Sequence, residues 1–263
     1  GLILLGLILS ISIFTGRSPI VFLTGLGAAT AVLLVIFRDT LLSFVAGIQI
    51  QFNDLMREGD WIEVPAYGAD GDVVNIALHT VKIQNWDKTI SVLPTYKLLE
   101  VPFKNWRGME DSGGRRIKRA LHIDLNSVRF CDEGLMDRLM HIGLIKDYVT
   151  EKRAVQTPEA ASGDLLSSDG FTNVEAFQTY IVRYLQNRPD IHQKTMTFLV
   201  RQLAPGPTGL PLEIDVFTKT PALVEYEAIQ ASIFDHLVAA ISKFDLRVFQ
   251  EPTGLDFQAV GKS

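Results

Sequence analysis

Ile20 to Phe37 is 18 consecutive residues without a charge. As an α-helix it reaches about 27 Å, close to the roughly 30 Å hydrocarbon core of a bilayer, so a membrane crossing with little tilt is the expectation. A second apolar run, Gly1 to Phe14, would span only about 21 Å and reads as the visible end of a longer membrane helix whose start lies upstream. Between the two, Thr15-Gly16-Arg17-Ser18-Pro19 is a polar break, and Pro19 suits the first turn of the second helix. A helical hairpin results. The chain opens without Met or a basic leader, which argues against a signal peptide.

From Gly1 to Asn53 the only charged residues are Arg17, Arg38 and Asp39. Beyond Asp54 acidic and basic residues are interspersed at ordinary density, so an apolar block precedes a soluble body of more than 200 residues. That body is long enough to bury its own core and to split into two domains. Within the apolar block, Gly25, Gly27, Ala28, Ala29, Thr30 and Ala31 concentrate in the first half of the second run. Small residues let helices approach closely in a membrane, within one subunit or between copies around a pore. Arg38-Asp39-Thr40 interrupts the apolar pattern before Leu41 to Phe52, which predicts a kink into an interfacial helix with Arg38 paired to Asp39 or to a neighbouring copy.

From Gly59 the period changes. Trp61–Val64, Val73–Ile76, His79–Ile83 and Thr89–Leu93 are short β-rich stretches parted by Gly and Asp turns, as in a small barrel. The basic run Arg115-Arg116-Ile117-Lys118-Arg119 reads as a solvated face leading into a strand from Ala120 to Leu125. Residues 150–170 read as a loop or insertion tip. Further on come a helix from Asn173 to Asn187 with Asn173 as N-cap, strands Thr195–Leu203 and Leu212–Thr218, a helix Leu223–Phe244, and a closing strand Leu246–Gln250. That order resembles a ferredoxin-like α+β sandwich.

Signatures of catalysis are missing: the sequence contains no GxSxG, HExxH, Walker A or EF-hand pattern. The Gly25-x-Gly27 pair mimics part of a dinucleotide fingerprint, but no strand precedes it. His79, His122, His141, His192 and His236 stand at no metal-ligand spacing, and the single Cys131 has no partner for a disulfide or structural zinc. A net charge of -5 speaks against nucleic acid as a partner. Neither an enzyme nor a cofactor-binding protein is expected.

In order, a small-residue membrane helix, a charged break, a short helix, a β barrel and an α+β domain resemble the MscS channel family over about residues 20 to 257. The resemblance rests on Gly25-Leu26-Gly27-Ala28-Ala29, Val45-Ala46-Gly47-Ile48, Gly59-Asp60-Trp61-Ile62, Gly71-x-Val73-Val74-x-Ile76 and Val92-x-Pro94. Tyr67-Gly68-Ala69-Asp70-Gly71, Ser112 to Arg119, Arg201 to Gly206 and Gly209 to Ile214 are similar to its miniconductance (YbdG-like) branch. The resemblance implies an MscS-like fold: transmembrane and pore helices over 1–53, an Sm-like β domain over 54–106, and an α+β domain over 107–263 with an insertion near 131–172.

It further implies a mechanosensitive channel of the bacterial inner membrane, opened by tension on hypo-osmotic shock with small or mini conductance. It implies a multi-pass homoheptamer with cytoplasmic C-terminal domains, whose partners are membrane lipid, its own copies, and permeating ions and small osmolytes. By the same likeness the last membrane helix lines the pore through Gly27, Ala28, Ala31, Val35 and Arg38. The gate positions fall at Ala31 and Val35, and because Ala31 is small, the seal rests on Val35 or shifts toward Phe37. The kink falls at Arg38, Asp39 and Thr40. Two other readings stay open: an osmosensing structural subunit that seldom conducts, and a membrane-tethered Sm-like RNA-binding module.

Overall fold

The computed structural model describes residues 2–155 and 170–251. The chain divides into two compact units, residues 1–108 and 109–263, so the expected membrane helices and β domain fall within one unit.

The first unit opens with the hairpin expected from the apolar runs, α1 (Leu2–Thr15) and α2 (Pro19–Phe52). Gly16 takes φ +65 in the turn, Ser18 caps α2 by accepting from the Ile20 N–H, and Pro19 occupies the first turn. Proline costs nothing there, because the first N–H groups of a helix have no partner inside it. Where two segments were expected, α2 is one unbroken helix of 34 residues that runs through Arg38-Asp39-Thr40. No ion pair joins Arg38 to Asp39 among the described residues. The physical reason is simple: neighbours in a helix point about 100° apart, so an adjacent pair cannot face each other.

The rest of this unit is an antiparallel sheet in the order β4-β3-β2-β1-β5, built from β1 (Trp61–Val64), β2 (Ala69–Ile76), β3 (Thr80–Asn85), β4 (Ile90–Pro94) and β5 (Lys104–Asn105). A short helix, α3 (Thr95–Glu100), separates the last two. Alternation buries Ile62, Val64, Ala69, Val73, Val81, Ile83 and Leu93 on one face. Gly71 shows how sharply β2 and β3 close on each other: a Cβ there would stand 1.9 Å from the Gln84 carbonyl oxygen. Only glycine permits that approach.

The five-residue helix α4 (Arg107–Asp111) leads into the second unit, which contains β6 (Arg115–Ile123), α5 (Glu133–Met140), α6 (Lys146–Val155), α7 (Asn173–Gln186), β7 (Leu199–Gln202), β8 (Leu210–Thr218) and α8 (Leu223–Ala240). Its sheet order is β6-β8-β7, fully antiparallel, with β6 and β8 in register over nine residue pairs. One face packs Ile117, Leu121, Leu212, Ile214 and Val216 against Leu135, Phe177, Ile181 and Leu237 of the helices. The other face is polar. There Arg116 grips Asp215 at 2.8 and 2.6 Å, and Arg201 donates to Glu213 at 2.9 Å, so the basic run is part of β6 and neutralises carboxylates of β8.

Smaller departures have local causes. Thr172, not Asn173, caps α7 through the Glu175 N–H. Asn173 is instead buried, accepting from the Arg129 N–H and donating to the Ser127 carbonyl. The expected helix to Phe244 ends at Ala240 and continues as a 3₁₀ turn, and the closing strand is a single bridge between Ile123 and Val248. Of the 150–170 loop, residues 156–169 lie outside the described residues.

Candidate pore helix and its anchor on the β domain

The two ends of α2 are chemically different. From Ile20 to Phe37 nearly every side chain is exposed, including Val32, Leu33, Leu34, Val35 and Ile36. It is the one helix among the described residues long and apolar enough to cross a membrane. An isolated aqueous helix would not leave such a surface open, since each buried CH₂ is worth about 0.8 kcal/mol. Toward the other end, Ser43, Ala46, Gly47 and Ile50 are buried at spacings of three, one and three, a stripe that docks on the β domain. The segment expected to lie along the membrane interface is therefore an anchor.

Anchoring is achieved by insertion. Ile50 is fully buried within the apolar core of the sheet, with Met56, Ile62, Val81 and Leu98 in the same cluster. Gly47 lies against the Leu78 carbonyl, where even a methyl group would sit 3.7 Å away. Two bonds from Thr95, its N–H to His79 O at 3.0 Å and its hydroxyl to Ala77 O, tie α3 to the β2–β3 turn.

The helix then stops in a tight polar cap. The Leu55 N–H reaches back to Ile50 O at 3.0 Å and Asp54 adopts φ +51, a left-handed position where glycine is usual. The cost of a non-glycine residue there, about 1–2 kcal/mol, is offset by its side chain, which accepts from Arg57 at 2.7 and 2.6 Å and from Arg107 at 3.1 Å. Asp60 is the deeper carboxylate. It accepts from the Arg57 N–H at 2.8 Å, from Asn105 Nδ2 at 2.8 Å and from Arg107 through both Nε, at 2.9 Å, and Nη2. Burial raises its pKa, but the bonds from Arg107, Asn105 and the Arg57 backbone outweigh burial and hold it below the usual carboxylate range. Asp54 is likewise lowered, chiefly by Arg57. Asn105 also donates to Leu55 O at 3.0 Å, so β5 holds the segment that leaves the helix.

All the residues assigned to the pore stand on the exposed part of α2. At about 100° per residue, Ala28, Ala31, Val35 and Arg38 fall within an arc of about 80°, with Gly27 at its rim. Phe37 is turned by about 200° from Val35, so one straight helix cannot present both to the same lumen. Asp39 stands four and seven residues before Ser43 and Ala46, in line with the docking stripe. The Asp60–Arg107 clamp is not among the expectations read from the sequence. Gly59-Asp60-Trp61-Ile62 was the available signal, yet its partner stands 47 residues on. Among the described residues no group of three or more His, Cys, Asp or Glu is placed to hold a metal.

Residues 39–108 match the family described as mechanosensitive ion channel, beta-domain. The small-conductance mechanosensitive channel MscMJ of Methanocaldococcus jannaschii is 32% identical over 103 residues, 39% of this chain and 29% of that protein. An uncharacterised MscS family protein of Helicobacter pylori is 28% identical over 110 residues, 42% of this chain and 17% of that protein. The matched segment thus spans under a third of these relatives' length. Among solved structures, Arabidopsis thaliana MSL1 aligns with a TM-score of 0.65 at 15% identity, covering 94% of this chain and 71% of that one. The closed-state crystal structure of Helicobacter pylori MscS aligns at 0.58 and 16% identity, covering 94% and 76%. At such identities the likeness is one of fold, and the MscS-like fold and family resemblance expected from the sequence are borne out.

Proposed function

We propose that this MscS-type chain forms the pore of a tension-gated ion channel, with α2 lining the conduction path and the β domain holding its end in place. The observation that carries the reading is the division of α2 into an exposed apolar part and a buried anchor. A membrane helix fixed at one end to a rigid soluble body can be displaced by lipid while the body stays assembled. Tension then favours whichever state occupies more membrane area, a differential free energy between two states.

Self-assembly is supported by the β sheet, whose end strands β4 and β5 pair with no further strand among the described residues and whose Ile90 and Val92 are exposed. Edge pairing of β4 to β5 of the next copy would close a ring without leftover edges. The count of seven rests on family likeness. Within such a ring the Ala28-Ala31-Val35-Arg38 arc faces the axis, Val35 with Ala31 forms the apolar constriction, and the gate closes by dewetting. Arg38 adds a positive charge per subunit one turn below and favours anions. On opening, α2 bends at Arg38-Asp39-Thr40, a stretch that is unbroken helix in this structure and lies between the last apolar turn and Ser43, the first docked residue. Placement in a bacterial inner membrane with cytoplasmic C-terminal units, and opening on hypo-osmotic shock, complete the reading.

The test is patch recording of the full-length protein reconstituted in liposomes under suction. Unitary currents that appear with tension are expected. Silent patches up to lytic tension would leave a membrane-bound osmosensor in its place.

A further inference from the structure

The row of side chains that α2 turns toward the lumen in the proposed channel continues past Arg38. Between Gly27 and Gly47 the chain has no glycine or proline, the residues at which helices usually kink, and α2 is unbroken there. The helical period therefore carries across Arg38-Asp39-Thr40. Leu42 stands seven residues after Val35 and four after Arg38, which places it about 20° from the first and about 40° from the second, between the two around the helix. Its neighbours leave that row. Leu41 and Ser43 are each turned from it by about 100°, and Ser43 is the first residue buried on the β domain. Leu42 itself stays 38% exposed, beside the docking stripe and outside it. The next side chain of the row, seven residues on, is Gln49, polar and exposed.

We propose that Leu42 forms a second apolar constriction of the pore, on the β-domain side of Arg38; this rests on the reading of α2 as the helix that lines the lumen. From Ala28 the row runs through Ala31, Val35, Arg38 and Leu42 to Gln49, so Leu42 is its largest apolar side chain and supplies the bulk that Ala31 lacks. A ring of leucines in a narrow lumen excludes water without the side chains touching, and closes the path by dewetting as Val35 does. The Arg38 ring then lies between two dry rings, and an ion reaches it from either end only after one of them wets. The two rings answer to different parts of the molecule. Val35 belongs to the apolar stretch that lipid displaces. Leu42 adjoins Ser43, and the buried Ser43, Ala46, Gly47 and Ile50 fix the orientation of that turn on the β domain. A bend at Arg38-Asp39-Thr40 falls between the rings, so it moves one relative to the other and couples the anchor to the gate.

The experiment is patch recording of the full-length protein in liposomes, at rest and under suction. Two barriers in series keep a pore shut until both are wetted. Val35→Ser and Leu42→Ser are each expected to stay closed at rest and to open at lower tension than the unsubstituted chain, whereas the double variant is expected to leak at rest. Val35→Ser with Leu41→Ser, one residue off the row, should stay closed at rest. A leak from Val35→Ser alone, a double variant that stays closed at rest, or an equal leak with Leu41→Ser overturns the assignment. Patches of the unsubstituted chain that stay silent at every tension overturn the channel reading, and the assignment with it. A second readout needs no current. Copies whose Leu42 side chains converge on an axis bring Leu42→Cys thiols together, so mild oxidation in detergent should give covalent dimers on a non-reducing gel. Phe44→Cys, turned by about 160° from Leu42, should not. Cys131 does not compete, because burial pushes its thiol up to about 12 and keeps it protonated. Leu42→Cys that stays monomeric, or dimers from Phe44→Cys in its place, also overturns the assignment.

Discussion

Arg107 holds Asp60 with two hydrogen bonds and Asp54 with a third, closing a polar ring around the point where α2 gives way to the β domain. Asp60 is 8% exposed, so its charge depends on that guanidinium. Removing one partner of a buried pair leaves the other unpaired at a cost of about 3–5 kcal/mol, reduced here because Arg107 keeps some contact with water. Arg107→Ala should therefore destabilise the β domain by about 2–4 kcal/mol. Thermal unfolding of the solubilised protein checks it. Arg107→Lys should recover little, since a lysine cannot bond two carboxylates in a fork.

The same carboxylate sets an acid limit. Asp60 titrates below its ordinary value in the folded chain, so the unfolded state binds the proton more readily and stability falls as protons are taken up. The contribution is fully present above the unfolded carboxylate pKa of about 3.9 and is lost as pH falls through the lower folded value. Acid unfolding followed by tryptophan fluorescence should show this loss below about pH 4. Trp61 and Trp106, stacked at 4.7 Å next to the clamp, provide the probe. Arg107→Ala should flatten the acid limb, and an unchanged limb would remove Asp60 from it.

Much of this fold was legible because it follows from local chemistry. The hairpin at Thr15 to Pro19, the β-rich stretches and the helix starts are written in runs of residue type a few positions long. The anchor was not. Nothing local distinguishes Leu41 to Phe52 lying on lipid from the same helix inserting Ile50 into a core, since both need an apolar stripe. The clamp was hidden by separation, Asp60 and Arg107 meeting only once β1 and β5 pair. Arg38-Asp39 misled in the other direction: two charges in an apolar run look like a break, but one helix turn displays them on different faces without disturbing a backbone bond.

Val35 is expected to control how readily the pore wets. Val35→Ser should lower the tension threshold in patch recordings, because a polar ring at the constriction stabilises water there. Phe37→Ser should change it far less, being turned by about 200° around the helix. Equal shifts for the two would mean that α2 does not present the Ala28 to Arg38 arc to the axis.

Arg38 carries the prediction on selectivity. Its side chain is exposed and makes no ion pair among the described residues, and it extends the arc that contains Ala31 and Val35. If each subunit directs one guanidinium at the lumen, Arg38→Glu replaces a ring of positive charge by a ring of negative charge. The reversal potential under a salt gradient should move toward cation preference. An unchanged potential would place Arg38 outside the conduction path.

Ile50 tests whether the pore helix and the β domain act as one body. Its side chain is fully buried among Met56, Ile62, Val81 and Leu98, although it belongs to the helix and they belong to the domain or its approach. Ile50→Ala leaves a cavity that the surrounding strands only partly fill, at a cost of about 2–5 kcal/mol. Because the lost contacts join two elements, the loss should register in both. Amide exchange should quicken in the last two turns of α2 and in β1 and β3 together, while α7 and β8 of the other unit keep their rates. Faster exchange confined to the helix would mean that the sheet holds its core without Ile50, and that the anchor is the polar clamp alone.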